Sequence, residues 1–111
     1  MRLVIIESPF AGNVPHNLAY VRAAMRDCLN RGEAPYASHA LYTQAGVLDD
    51  DEPAERRLGI EAGLCWGEMA EATVVYADLG ISRGMAEGID RAKACHRPVE
   101  MRSLPGWGSD A

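Results

Sequence analysis

Four consecutive aliphatic residues, Leu3-Val4-Ile5-Ile6, stand almost at the amino terminus and run into Glu7-Ser8-Pro9. A strand exposed on one face alternates apolar with polar residues, so an unbroken aliphatic run asks for cover on both faces. Thr73-Val74-Val75-Tyr76 repeats the signal with β-branched and aromatic residues. Each run is followed by a segment of helical period. After the first, Pro15 suits an opening helical turn. Leu18, Val21, Met25 and Cys28 or Leu29 then recur on one stripe, and Gly32 supplies the stop. After the second, Met85, Ile89 and Ala92 mark the buried stripe of a helix reaching about Ala94.

The remaining segments complete the alternation. A second strand is expected near Pro35 to Ser38, then a loop to Leu48, then a helix from Pro53 to about Ala70 burying Leu58, Ala62, Cys65 and Met69. Gly59, Gly63 and Gly67 weaken that helix and permit close packing. The acidic run Asp49-Asp50-Asp51-Glu52 is placed to cap it, with a metal site as the alternative reading. Pro98 to Met101 suits a last edge strand. Strands alternating with helices define right-handed βαβ units. The expected fold class is therefore α/β: a small flavodoxin- or Rossmann-like three-layer sandwich with a parallel sheet of four strands (or five), order 2-1-3-4. One domain over residues 1–104 is expected, with a flexible tail over 105–111 that carries Trp107.

A length of 111 residues gives room for one core, and 48% apolar with 24% charged residues is an ordinary globular balance. The net charge of −5 argues against wrapping a nucleic-acid polymer. No apolar run approaches the roughly 20 residues of a membrane span. The amino terminus turns acidic too soon for a signal peptide, so a cytoplasmic protein is expected. Cys28, Cys65 and Cys95 form no Cys-x-x-Cys pair and read as reduced core thiols. No metal and no cofactor is expected.

In parallel sheets of this kind, ligands bind beyond the carboxyl ends of the strands, where the strand order reverses. The loops flanking that point are Glu7 to Asn13 and Ala77 to Gly84. In the first, Ser8, Gly12 and Asn13 can cradle a phosphate or ribose, or simply turn the chain and cap the helix. In the second, Ser82 can cap a helix whose free amides favour an anion, Gly84 admits close approach, and Asp78 can hold a sugar hydroxyl or serve the local turn. His39 can contact a phosphate or base or bond to nearby backbone, and Tyr42 can stack on a base or on the sheet. His16 and His96 read as surface residues, Trp66 as core or dimer interface.

Several short segments occur together in a telling order. They are Ser8-Pro9-Phe10 with Gly12-Asn13, Asn17, the Ser38-His39-x-Leu41-Tyr42 segment, the acids before Pro53, Leu58 to Gly63, and Ile81-Ser82-Arg83-Gly84-Met85. Spanning nearly all of residues 3–102, they resemble the small phage and bacterial members of the nucleoside 2-deoxyribosyltransferase-like superfamily. The resemblance implies a flavodoxin-like fold, at least a dimer, and action on the N-glycosidic bond of a nucleoside, nucleotide or related phosphorylated molecule. It also implies a glutamate nucleophile four residues after the loop glycine, and a second acid on the preceding helix, which Glu61 matches. Position 88 is glycine here, and the glutamate is Glu87. One helical residue is a rotation of about 100°, so Glu87 need not point into the site, though a local bulge could restore it. Otherwise Glu7, Glu61 or Asp78 supplies the carboxylate, or the chain is a non-catalytic protein that sequesters a nucleotide or an ADP-ribose-type signal.

Overall fold

The computed structural model describes residues 1–107. In chain order it contains β1 (Arg2–Glu7), α1 (Val14–Asn30), β2 (Glu33–Tyr36), α2 (Ser38–Leu41), α3 (Pro53–Gly67), β3 (Ala72–Tyr76), α4 (Arg83–Ala94) and β4 (Val99–Arg102). The four strands form one sheet in the order β2-β1-β3-β4, and every neighbouring pair is parallel. The expected α/β sandwich and strand order are those observed. No helix among the described residues is long and apolar enough to cross a membrane.

Register follows from burial. Val4 pairs with Pro35 and Ala72, and Ile6 with Val74, so these side chains share the face covered by α1. Val4, Ile6, Ala72, Val74 and Tyr76 join Tyr20, Val21, Ala24 and Cys28 of α1 in the core. Burying each large apolar side chain contributes roughly 1.5–3 kcal/mol. The buried stripe of α1 is Asn17, Tyr20, Val21, Ala24 and Cys28. Of the expected stripe, Val21 and Cys28 are buried, Leu18 and Met25 pack partly buried against the core, and Leu29 is exposed. Polar Asn17 and Tyr20 turn inward because both find partners there, which hydropathy does not register.

The opposite face carries Ile5, Glu7, Thr73 and Val75, and lies under α3 and α4. Helix α3 approaches through its glycines: a β-carbon at Gly63 would press on Ser38 at 2.9 Å, and one at Gly67 on Ile5 at 3.1 Å. That approach turns its apolar stripe outward, so Leu58 and, just past the helix, Met69 are exposed, contrary to expectation, and Trp66 is exposed rather than core. Cys65 and Cys95 are exposed too, and only Cys28 is a core thiol. The segment after β2 contains the short helix α2 in place of an uninterrupted loop. Nor does the acidic run cap α3: its N-cap, Glu52, makes no side-chain cap bond. Asp50 instead pairs with Arg56 at 3.3 Å. Trp107 packs on Tyr20 and His16, with ring centres 5.2 and 5.3 Å away, so the expected tail is docked up to that residue. The rest of that tail, residues 108–111, lies outside the described residues.

An ionic chain crosses the α1 face from one sheet edge to the other. Arg102 of β4 donates to both carboxylate oxygens of Glu33 of β2, at 2.7 and 2.8 Å. Arg2 joins Glu33 at 2.7 Å and Glu100 at 2.8 Å. The side chains of Arg102 and Glu33 are only 5% and 7% exposed. The Arg102 guanidinium, with Arg2 assisting, holds the Glu33 carboxyl down to about 2. Removing one partner of such a buried pair strands the other, so Glu33→Gln is expected to destabilise the fold by about 3–5 kcal/mol at neutral pH. Because the folded pKa is depressed, this contribution is present above about pH 4.5 and is lost as pH falls toward 2. Urea melts of wild type and variant at pH 7 and pH 3 measure it; equal stability at pH 7 would exclude the role.

Candidate functional site

The alternation that buries Val4 and Ile6 under α1 sends Glu7 to the other face, at the carboxyl end of β1. There it lines a cavity of ≈ 940 Å³ between α3 and α4. Ser8, Phe10, His39 and Tyr42 border the same space, as do Ser82, Gly84 and Met85 at the start of α4. The fold thus gathers most of the residues singled out from sequence.

Four local arrangements fix the walls. Asn17 donates to the carbonyls of Phe10 and Ala11, at 2.9 and 3.1 Å, and holds the β1–α1 loop over the sheet. Ser8 Oγ and His39 Nε2 share a hydrogen bond of 2.7 Å. The Thr43 hydroxyl donates to the His39 carbonyl, tying α2 down. Ser82 caps α4 by accepting from the Met85 amide at 3.2 Å, leaving the helix start directed at the cavity.

The electrostatics are set by burial. Glu7 receives no hydrogen bond or ion pair among the described residues, and burial pushes its carboxyl up to about 7 against the weaker pull of Arg91 and Arg97. Burial pushes His39 down to about 4, so its imidazole is neutral at physiological pH. Arg97 is committed elsewhere, donating to Thr73 Oγ1 and the Gly67 carbonyl, both at 2.9 Å. The Tyr36 hydroxyl is buried without a hydrogen-bond partner and belongs to a residue lining the cavity. Its ring neighbours those of Tyr42 and Trp66, at centre distances of 6.4 and 5.9 Å. Tyr36 was not singled out from sequence. The available signal was parity, since it pairs with Ile5 and so shares the face of Glu7.

Other candidates lie away from the cavity wall. Asp78 accepts from the Tyr20 hydroxyl at 2.7 Å and the Leu104 amide at 2.8 Å, on the α1 side. Asn13 caps α1 by accepting from the His16 amide at 3.3 Å. Gly12 turns the chain with φ 101°, and Pro9 is buried beside it. Glu61 is exposed on α3. Glu87 borders the opening, and its carboxylate lies 3.7 Å from Arg83 with both side chains largely in solvent. No three His, Cys, Asp or Glu side chains gather to hold a metal among the described residues.

The molecule is thus an α/β fold with a parallel four-stranded sheet and a cavity between α3 and α4. Its structure is similar to that of a 2-deoxyribosyltransferase from Bacillus psychrosaccharolyticus, with a TM-score of 0.66 and 16% identity over 94% of this chain and 74% of that one. That protein is described as a biocatalyst for nucleoside synthesis, and at this identity the likeness is one of fold. By sequence the chain belongs to the DUF7768 family, a domain of unknown function, whose model matches residues 2–102. No curated protein matches it.

The two cavity groups give stability opposite pH responses. The raised Glu7 leaves stability intact below about pH 4.5 and diminishes it as pH rises through 7. The lowered His39 leaves it intact above about pH 6.5 and diminishes it as pH falls through 4. Glu7→Gln is therefore expected to be isostable near pH 4 and more stable at about pH 8, by up to about 3 kcal/mol. Denaturant melts at the two pH values check this; no gain at the higher one would mean that Glu7 ionises without penalty.

Proposed function

We propose that the chain binds a nucleoside or nucleotide in this cavity and acts on its N-glycosidic bond, by hydrolysis or transfer. One observation carries the reading: a single cavity joins a partly buried carboxyl group, unpaired among the described residues, with an aromatic wall and a capped helix start. A flat base suits the Tyr36–Tyr42 side, because stacked aromatic pairs gain beyond burial alone. Phosphate or sugar oxygens suit the first-turn amides of Arg83 and Gly84. A carboxyl group is what oxocarbenium-like chemistry at an anomeric carbon requires. The volume is near the upper end for ligand sites, roughly 300–1,000 Å³. The deoxyribosyltransferase likeness supports the same substrate class.

A sequestering protein without turnover is the second reading. It is favoured by Glu87, which lies by Arg83 at the rim, and by Gly88, which offers no side chain. For either reading we propose a homodimer or larger homo-oligomer, with the outward Leu58 and Trp66 of α3 and Met69 just after it facing a second copy.

Calorimetric titration with nucleosides, nucleotides and ADP-ribose derivatives, followed by chromatography of each mixture, separates the readings. Binding with released base supports the enzyme. Binding with ligand recovered intact supports the sequestering protein, and no binding at all sinks both. Tyr36→Phe sharpens the test. Removing an unpartnered hydroxyl should leave the free protein at least as stable, yet weaken a base that uses that hydroxyl by about tenfold.

A further inference from the structure

Gly88 stands in the middle of α4, with a neighbouring glycine-free turn on either side in Met85-Ala86-Glu87 and Ile89-Asp90-Arg91. Its backbone is not in the left-handed region, so no turn geometry requires glycine there. A mid-helix glycine is worse than alanine by roughly 0.5–1 kcal/mol. Space accounts for it. A β-carbon built at position 88 would overlap the Glu7 carboxyl group, reaching both oxygens and the carbon between them. The acid of β1 is thus seated in a notch on α4 that glycine leaves open, and a side chain at 88 would displace the carboxyl from it. It sits there without a hydrogen bond among the described residues, on the wall of the cavity.

We propose that Glu7 is the reacting carboxyl of this site, acting as its general acid–base, and that Gly88 is the positioning residue that admits it. The proposal rests on the N-glycosidic reading above. In hydrolysis, ionised Glu7 takes a proton from water as the water oxygen bonds to the anomeric carbon. The carbon–nitrogen bond breaks, and its electron pair passes to the base nitrogen. Neutral Glu7 then returns the proton to that nitrogen. The products are free sugar and neutral base, and Glu7 ends as carboxylate.

A proton carrier works best when its pKa lies near the working pH, and Glu7 is held at about 7. The charged groups that face it are Arg91 on α4 and Arg97 in the turn after α4. His39 of α2 also borders the cavity and is neutral there. Glu87 is at the rim beside Arg83, and Glu68 and Glu71 border the far end.

The test joins two measurements on the full chain. Carbon-13 NMR of side-chain carboxyls, assigned by the resonance missing in Glu7→Gln, should show Glu7 titrating near 7. In Gly88→Ala it should titrate at least one unit lower, as the displaced carboxyl meets water. If Gly88→Ala alone does not fold, folding recovered by the double variant with Glu7→Ala supports the notch. A Glu7 titration unchanged in Gly88→Ala overturns it.

Base release is then measured across a panel of ribo- and 2′-deoxynucleosides. Glu7→Gln should lose at least 100-fold in kcat with KM within a few-fold, and wild-type kcat/KM should follow one ionisation near 7. Base release that survives Glu7→Gln overturns the proposal and leaves the N-glycosidic reading standing. No release by wild type from any nucleoside overturns both, while the NMR comparison still decides the role of Gly88.

Discussion

Strand β1 has neighbours on both sides and helices over both faces, and its period of two decides what each face receives. Even-numbered Val4 and Ile6 enter the dry core beneath α1. Odd-numbered Ile5 and Glu7 look the other way, toward the space between α3 and α4. The same alternation therefore builds the core and delivers one carboxyl group to the cavity. A slip of one residue would bury Glu7 under α1 and put Ile6 in the site. The charged chain through Glu33, Arg102, Glu100 and Arg2 guards against such a slip, because its partners meet only in one register.

The two helical faces of the sheet are closed by different chemistry. On the α1 side, apolar packing occupies the middle, and ion pairs reach across to the edge strands. On the other side the glycines of α3 bring it close to α2 and β1 but leave a trough between α3 and α4. The cavity is the consequence of that second arrangement. Glu7 and the Tyr36 hydroxyl lack partners there among the described residues, whereas the first face satisfies its polar groups, down to Asp78, which is engaged by Tyr20 and Leu104.

Strands β1, β3 and β4 and the sheet order were legible in the sequence because aliphatic runs and helix stops are local signals, whereas β2, without such a run, lies at Glu33–Tyr36 and not at the expected Pro35 to Ser38. So were Ser8, His39, Tyr42, Ser82 and Gly84 as neighbours of one site, since strand carboxyl ends converge there. What the sequence concealed depended on distant partners. Asn17 and Tyr20 face inward because of bonds to a loop and to Asp78. Leu58 and Met69 face outward because glycines set the orientation of α3. The pairing of Glu33 with Arg102 links residues 69 apart in the chain. The notch at Gly88 belongs to the same class, for its meaning lies in a side chain on another element.

That notch has an evolutionary consequence. Positions 7 and 88 compete for one volume, so they cannot drift independently. A lineage that acquires a side chain at 88 displaces the acid at 7 from its seat, and with it the reason to keep an acid there. Homologues are therefore expected to divide into two populations at this pair of positions, with an acid at 7 going with glycine at 88.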